Sequence, residues 1–211
     1  MVTYMHRNEA EVENRLIEIL GEGRNQWTYR KDLKSEEDLW KNLKQKITQN
    51  NLSEIGEHPI TDKEFDTLKT KLLLHTQTPF DAAKWLKGEN GIARITIERE
   101  DVSLGAMSLV LYSNQDIGGG ISTYEVVNQI AKKTNDEMGH DRRFDVTLLI
   151  NGLPIVQIEL KQASAKDGVY QAFNQIKKYA EEGMFRNNIF STLQLFVISN
   201  EQTTRYFANA L

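Results

Sequence analysis

The 211-residue sequence has no cysteine and only four histidines. The absence of thiols excludes a disulfide scaffold, a cysteine nucleophile and zinc-finger sites, and it suits a reducing compartment. The histidines, at positions 6, 58, 75 and 140, lie in separate segments without ligand spacing. This spacing argues against a histidine metal centre and against a serine–histidine triad.

Long hydrophobic runs and a strong excess of one charge are also missing. No apolar run approaches the roughly 20 residues that cross a bilayer, and the first residues do not form a signal peptide. We therefore expect a cytoplasmic protein without a membrane partner. The formal net charge of −4 argues against a protein that coats DNA, although a local basic groove is compatible with it because charges act over only about 8–10 Å.

The length predicts a single domain over residues 1–211, with a mainly helical part at 1–90 and a core at 91–211. In the helical part, Ser35 is placed as an N-cap with Asp38 as its capping-box acid, and a later helix begins at Thr61 and stops before Pro79. After Gly91 the pattern alternates, which predicts strands over 92–98, 107–112 and 124–130.

Three consecutive glycines at 118–120 lie between two of these predicted strands. No Gly-Lys-Ser/Thr follows them, so they do not form a phosphate-binding loop, and we interpret them as a hairpin connection. No ATP site is visible in the chain.

The most informative stretch is 144–161. A β-branched strand over 144–150 is followed by Asn151-Gly152, which favours a tight hairpin because both residues tolerate positive φ. A second strand over 155–161 returns from it. A helix is predicted from Asp167 to Glu182, and a buried strand over 193–199 is then expected to pair in parallel through this crossover.

Polar residues interrupt the apolar hairpin where its two strands meet. Asp145 begins the first strand, and Glu159 and Lys161 end the second, so tight pairing places the two carboxylates close together. Such a pair shares a proton or holds a cation, and an all-oxygen set, completed by the Leu160 carbonyl, favours Mg²⁺. This chemistry serves phosphodiester hydrolysis, with Lys161 activating water and stabilising developing charge. The alternative is an exposed ion pair at a strand end.

The following helix carries Gln175 and Tyr179 four residues apart, and therefore on one face. These side chains can hydrogen-bond phosphate oxygens or a backbone near the metal; the alternative is a solvent-exposed helix flank. A modest basic bias surrounds the region and suits contacts to the DNA backbone without sequence readout. Its members are Arg142, Arg143, Lys166, Lys177 and Lys178.

These residues together carry a family resemblance. Asp145, followed by Glu159-Leu160-Lys161 and by Gln175 with Tyr179, resembles the PD-(D/E)xK nuclease core of the RecB-like kind. The sequence around these residues is similar to the endonuclease domain of the type I restriction enzyme R (motor) subunit. The matching stretches are RFDVTLLINGLPIVQIELK at 143–161, YQAFNQIKKY at 170–179 and LFVISN at 195–200.

The resemblance implies a three-layer α/β fold with a mixed central sheet flanked by helices. It implies that Asp145, Glu159 and Lys161 are metal-binding and catalytic residues, and that Gln175 and Tyr179 assist cleavage. The family's early Ser-Glu-x-x-Leu-Glu stretch resembles residues 35–40, where Trp40 replaces the final acid. Glu36 is the candidate accessory acid there, although first-turn acids that favour the helix dipole explain it equally well.

The family subunit is several times longer and carries ATP-driven translocase domains downstream. The resemblance therefore implies a Mg²⁺-dependent nuclease that cuts double-stranded, unmodified foreign DNA, with methyltransferase and specificity subunits as partners of the full subunit. Two alternatives stay open. One is a non-catalytic module of the same fold that docks DNA or a subunit, and the other is a stand-alone repair nuclease.

Overall fold

The computed structural model describes residues 8–22, 27–114, 122–132, 142–162, 164–165, 167–200 and 202–210. The triple glycine at 118–120, interpreted above as a connection, and Lys166 lie outside these residues. In the described part of the chain, no helix is long and apolar enough to cross a membrane.

Helices α1, α2, α4 and α5, whose bounds follow, begin at side-chain caps. Ser35 and Asp38 make the predicted capping box, in which each side chain binds the backbone N–H of the other residue. Thr61 caps the helix that was expected to begin there, with Glu64 as its partner, while Pro79 occupies the first turn of the next helix. The helices are α1 (Glu9–Gly21), α2 (Glu36–Asn50), α3 (Leu52–Ile55), α4 (Asp62–His75), α5 (Pro79–Lys87) and α6 (Gly168–Glu181), with short 3-10 helices at Val102–Leu104 and Ile189–Thr192.

The strands form two separate sheets in the described residues. They are β1 (Trp27–Tyr29), β2 (Ile92–Glu98), β3 (Ala106–Ser113), β4 (Tyr124–Lys132), β5 (Arg142–Ile150), β6 (Leu153–Leu160), β7 (Leu195–Ser199) and β8 (Thr204–Ala208). The larger sheet has the order β1-β4-β5-β6-β7-β8, and β2 pairs only with β3. In the larger sheet β1 runs parallel to β4 and β6 parallel to β7, while the other pairs are antiparallel. The predicted mixed sheet is confirmed.

Helices cover both sides of this sheet, which confirms the expected α/β layering. On one side, Val12 and Ile17 of α1 pack on Val146 and Ile158. On the other side, α2 and α6 join a larger core with sheet residues such as Phe144 and Phe196. The burial of apolar surface on both sides stabilises the sheet, since each square ångström removed from water contributes roughly 25 cal/mol.

The two sheets correct one interpretation. Strands β3 and β4, which precede and follow the glycines at 118–120, do not pair with each other, because β3 belongs to the small sheet and β4 to the large one. The small sheet packs on α4, α2 and α5, which come from before residue 90. The N-terminal part also supplies β1, a three-residue strand that the sequence patterns did not predict.

The predicted hairpin is confirmed. Asn151 and Gly152 form its turn with φ of 53° and 81°, as required where the chain reverses in two residues. The strand after the turn begins at Leu153, so Pro154 is its second residue. Helix α6 then crosses over to β7, which pairs in parallel with β6 as expected. The start of β5, the end of β6 and one face of α6 therefore meet at one end of the sheet.

Candidate active site

Strands β5 and β6 place Asp145 and Glu159 at the open end of the hairpin, where the Asp145 carboxylate raises the pKa of Glu159. The backbone N–H of Leu160 donates to Oδ2 of Asp145 at 2.8 Å. The proximity predicted from the hairpin register is therefore present in the structure.

Regular strand pairing is interrupted around Asp145. The β5–β6 ladder begins only at Val146, opposite Ile158. In the β4–β5 ladder, Asn128 and Ile130 both pair with residues of β5. The residue between them, Gln129, has no ladder pair, and the register places it opposite Asp145. Asp145 is thus released from main-chain pairing on both sides, and its side chain can turn towards its neighbours.

Burial and like charge govern the protonation of the two acids. Burial raises the pKa of Glu159 well above its ordinary value, and the nearby Asp145 carboxylate raises it further, while Lys161 acts in the opposite direction. Burial also raises the pKa of Asp145, against the lowering effects of the Leu160 N–H and Lys161. Two like charges in a dry site disfavour the doubly ionised state, so the pair holds a proton when no cation is bound.

Lys161 follows directly after β6 and is largely buried, with 15% of its side chain exposed. Its ammonium lies 3.6 Å from Oε1 of Glu9 in the first turn of α1. The same positive charge lowers the pKa of both Asp145 and Glu159. The structure therefore brings together the three residues that the sequence placed at the site, and it adds a helix carboxylate beside the lysine.

Helix α6 supplies Gln175, which binds Glu159, and Tyr179, which binds Gln175. Nε2 of Gln175 donates to Oε2 of Glu159 at 2.9 Å and to the hydroxyl oxygen of Tyr179 at 2.7 Å. Tyr179 is buried, and its ring packs edge-on against Phe144 at 5.5 Å between centroids. Of the two residues predicted to assist cleavage, Gln175 contacts Glu159 and Tyr179 contacts Gln175, so they do not form a solvent-exposed helix flank.

A second chain of polar contacts reaches Glu159 along the sheet. Oγ1 of Thr147 donates to Oε1 of Gln157 at 2.7 Å, and Nε2 of Gln157 donates to Oε1 of Glu159 at 3.3 Å. All three residues are fully buried. Both oxygens of Glu159 therefore have donors, which satisfies a carboxyl group that would otherwise be unfavourable in the interior.

The sequence analysis missed Glu13. This residue of α1 is 7% exposed, and its carboxylate accepts from Asn128 and Gln129 of β4. Its charge also raises the pKa of Asp145. The sequence did contain one signal for a buried acid. Glu13 lies next to Val12 and one helical turn before Ile17, which places it on the apolar face of the amphipathic helix α1.

The remaining candidates lie at several places. Glu36 accepts from Nε1 of Trp40 at 3.2 Å and lines the groove between α2 and α4, so its role as an accessory acid stays a prediction. Lys177 and Lys178 are exposed on α6, each within 4 Å of an acid one turn later. Arg142 and Arg143 begin β5, where Arg143 is exposed. The role of these cations in DNA contact also stays a prediction.

The donor set fits Mg²⁺. Within the described residues, no three acidic, histidine or cysteine side chains form a group that could hold a metal, so the protein side chains available at this point are the two carboxylates. Mg²⁺ is typically bound through one or two carboxylates, with water and substrate phosphate completing its shell. Asp145 and Glu159 would hold the ion, and the Leu160 carbonyl is the predicted third ligand.

Comparison with known proteins identifies the family. Residues 6–210 match the family described as "Type I restriction enzyme R protein N terminus". The chain belongs to this family. The match covers the acidic pair, the lysine and the α6 contacts, so the residues described above are those of an R-protein N-terminal domain.

Several relatives of this R-protein N terminus are named as restriction endonuclease subunits. A Staphylococcus aureus type I restriction enzyme endonuclease subunit is 29% identical over 97% of this chain and 20% of its own length. An Escherichia coli type I restriction enzyme EcoprrI endonuclease subunit is 50% identical over 38% of this chain and 26% of its own length. A Staphylococcus saprophyticus type I restriction enzyme endonuclease subunit is 29% identical over 84% of this chain and 17% of its own length. The chain thus spans about a fifth of the length of the first of these relatives.

Proposed function

We propose that this chain is the Mg²⁺-dependent endonuclease domain of a type I restriction enzyme R subunit, with a PD-(D/E)xK fold, and that it hydrolyses phosphodiester bonds of double-stranded DNA. The observation that supports this most directly is that the hairpin brings Asp145 against the end of β6, where its carboxylate acts on the buried Glu159 beside the Lys161 ammonium. Buried acids with raised pKa values beside a specific charge are typical of functional sites.

The chain's own residues divide the work. Bound Mg²⁺ would lower the pKa of a water molecule and neutralise charge on the phosphate. Asp145 and Glu159 hold the ion, and Gln175 keeps one Glu159 oxygen in place. Lys161 orients the attacking water and stabilises the negative charge that develops on the phosphate oxygens, in a site where water is largely excluded and electrostatic interactions are strong.

Protonation couples metal binding to pH. In the metal-free pair, burial raises both pKa values and the Asp145 carboxylate raises that of Glu159 further, which favours retention of a proton. A carboxylate must be ionised to bind the metal, so binding releases this proton. The neutral amide of Gln175 is suited to this exchange, since it hydrogen-bonds Glu159 without adding another charge.

The family resemblance extends the proposal to the whole subunit. We infer that downstream motor domains use ATP to pull unmodified foreign DNA towards the complex, and that methyltransferase and specificity subunits are its partners in the cytoplasm. Exposed Lys177, Lys178 and Arg143 would contact phosphates near the site. Contacts of this kind position DNA without reading its sequence.

The decisive experiment measures Mg²⁺-dependent DNA cleavage by the assembled complex with Lys161→Ala. We expect cleavage to fall by roughly 10²–10³-fold, as when one charge-stabilising donor is removed, while ATP hydrolysis and Mg²⁺ binding persist. Asp145→Ala should lose Mg²⁺ binding as well. Lys41→Ala is a matched control, because this lysine is exposed and pairs with Glu37 on the same helix.

Each other outcome points to a different function. If the Lys161→Ala complex cuts at the wild-type rate, the catalytic assignment is wrong. If the wild-type chain binds no Mg²⁺, it is a docking module rather than a nuclease. If the chain alone cuts plain DNA with Mg²⁺ and without ATP, the stand-alone nuclease is the better description.

A further inference from the structure

The backbone of Gln129 adopts an unusual conformation in the middle of β4. Its φ is +54°, in the left-handed region that residues with a Cβ rarely adopt. Among the described residues, the other non-glycine residues with positive φ are all Asn or Asp, which tolerate this region. A glutamine there persists only when surrounding contacts hold it, and such residues concentrate at functional sites.

Glu13 makes those contacts. Its Oε1 accepts from Nδ2 of Asn128 and its Oε2 from Nε2 of Gln129, both at 2.6 Å. The carboxylate therefore binds two consecutive side chains of β4, which in a regular strand would point to opposite faces. The contact links α1 to β4 across 116 residues of sequence.

The clamped residue lies directly across from Asp145. The register pairs Asn128 with Val146 and Ile130 with Phe144, so Gln129 falls opposite Asp145, and this one position has no ladder pair. Without a main-chain partner there, Asp145 is able to turn its carboxylate to the Leu160 N–H. The distorted β4 backbone and the placement of the metal-binding acid are therefore parts of one arrangement.

We propose that Glu13 is a positioning residue: by clamping Asn128 and Gln129, it keeps β4 distorted opposite Asp145 and so holds the Asp145 carboxylate in place for Mg²⁺. This inference rests on the proposed function and deepens it. Glu13 acts through the β4 backbone, and Asn128 is held from its other side by the Tyr29 hydroxyl, which donates to Oδ1 at 2.8 Å.

Apart from the clamp, the negative charge of Glu13 raises the pKa of Asp145. The test therefore has to separate the effect of geometry from the effect of charge. In Glu13→Ala both effects are removed. In Glu13→Ala combined with Gln129→Gly the charge is still missing, but glycine adopts positive φ without strain, so the distortion of β4 no longer needs the clamp. Recovery in the double variant therefore reports on geometry.

The first measurement is the Mg²⁺ affinity of the chain, from the rise in unfolding temperature on titration with MgCl₂. We expect Glu13→Ala to bind Mg²⁺ roughly 10- to 100-fold more weakly, as is typical when a residue that orients a metal ligand is removed. The double variant should recover at least half of the lost Mg²⁺ affinity, when the affinities are compared as logarithms. Val12→Ala is the matched control, since it loosens the packing of α1 without removing a polar contact to β4.

The second measurement is hydrogen exchange over residues 124–132 in the metal-free protein. Exchange should be faster in Glu13→Ala than in Val12→Ala at equal global stability. The proposal is overturned if Glu13→Ala binds Mg²⁺ as tightly as Val12→Ala, or if the double variant binds as weakly as Glu13→Ala. If the wild-type chain binds no Mg²⁺, the proposed function fails instead, and unchanged exchange in Glu13→Ala would overturn the clamp by itself.

Discussion

The backbone N–H of Leu160 donates to Oδ2 of Asp145 at 2.8 Å. In the rest of the β5–β6 hairpin, main-chain groups pair with each other, but here a side chain takes the place of the main-chain acceptor. The bond fixes one oxygen of Asp145 beside the end of β6, where the carboxylate raises the pKa of Glu159. The hairpin therefore ends in two acids rather than in a further ladder pair.

The first prediction concerns stability and pH without metal. Because the pKa values of Asp145 and Glu159 are raised in the folded state, the folded chain retains protons that the unfolded chain releases. The metal-free protein should therefore lose stability as the pH rises from the ordinary carboxyl range, about 4, through the raised pKa values.

The variant Glu159→Gln should remove much of this loss of stability. Its unfolding temperature in EDTA should exceed that of the wild type by roughly 2–4 °C at pH 8, which corresponds to about 1 kcal/mol, and the difference should shrink at pH 4. A difference that is independent of pH would contradict the raised values.

The second prediction concerns Gln175→Ala. This change removes a donor to Glu159 Oε2, which disfavours the ionised form and raises the pKa of Glu159 further. The pH at which Mg²⁺ binding is half developed should shift upwards, measured by Mg²⁺ titration at a series of pH values. Asn174→Ala, at the exposed neighbouring position, should leave that midpoint where it is in the wild type. Equal midpoints in the two variants would show that Gln175 does not act on Glu159.

The third prediction concerns Tyr179→Phe. The ring that packs on Phe144 is kept, and the hydroxyl that accepts from Gln175 is removed. The unfolding temperature should change by no more than about 4 °C, as expected for the loss of about 1 kcal/mol of hydrogen bonding. DNA cleavage by the complex should fall by roughly 10-fold or more, because Gln175 is less well fixed. Full activity would assign Tyr179 to packing alone.

The fourth prediction concerns the turn of the hairpin. Gly152 has φ +81°, and a Cβ there would lie 3.0 Å from the backbone Cα of Leu43 in α2. Gly152→Ala should destabilise the protein by more than the roughly 1–2 kcal/mol of left-handed strain alone. Gly183→Ala is the control, since its φ is +73° but no atom lies within 4 Å of the added Cβ. Chemical denaturation of both variants gives the comparison, and equal losses would mean that α2 yields to the methyl group.

The fifth prediction concerns DNA affinity. If Lys177 and Lys178 contact phosphates, their replacement by alanine should weaken binding of any duplex equally. It should also reduce the slope of log affinity against log salt by about 0.9 for each phosphate that is no longer neutralised. Fluorescence anisotropy at NaCl concentrations from roughly 50 to 200 mM measures this slope. Lys63→Ala is the control, an exposed lysine paired with Glu100 beside the small sheet. The same change of slope in the control would show a general charge effect.

Local signals predicted the elements that depend on near neighbours. The Ser35 capping box, the Asn151-Gly152 turn and the face shared by Gln175 and Tyr179 all involve residues at most four positions apart. Their geometry follows from the backbone alone, so the sequence was sufficient. The acidic pair was also accessible, because the hairpin register converts sequence spacing into distance.

Long-range features were not accessible in the same way. Strand β1 has three residues, too few for an alternating pattern, and it forms only because β4 offers a parallel edge. The glycines at 118–120 gave a local turn signal, yet the flanking strands pair in different sheets. Glu13 was hidden among other acids in α1, since what distinguishes it is its contact with Asn128 and Gln129.

The parallel pairing of β1 with β4 has a consequence for biosynthesis. Trp27 lies against Tyr124, so the first strand of the large sheet has no template until the ribosome has made almost a hundred further residues. At roughly 5–20 residues per second, α1 and β1 emerge several seconds before the strand that receives them. During that interval the helices and the small sheet encoded between them are able to collapse on their own. The strands that carry the acidic pair are therefore added to elements that were translated before them.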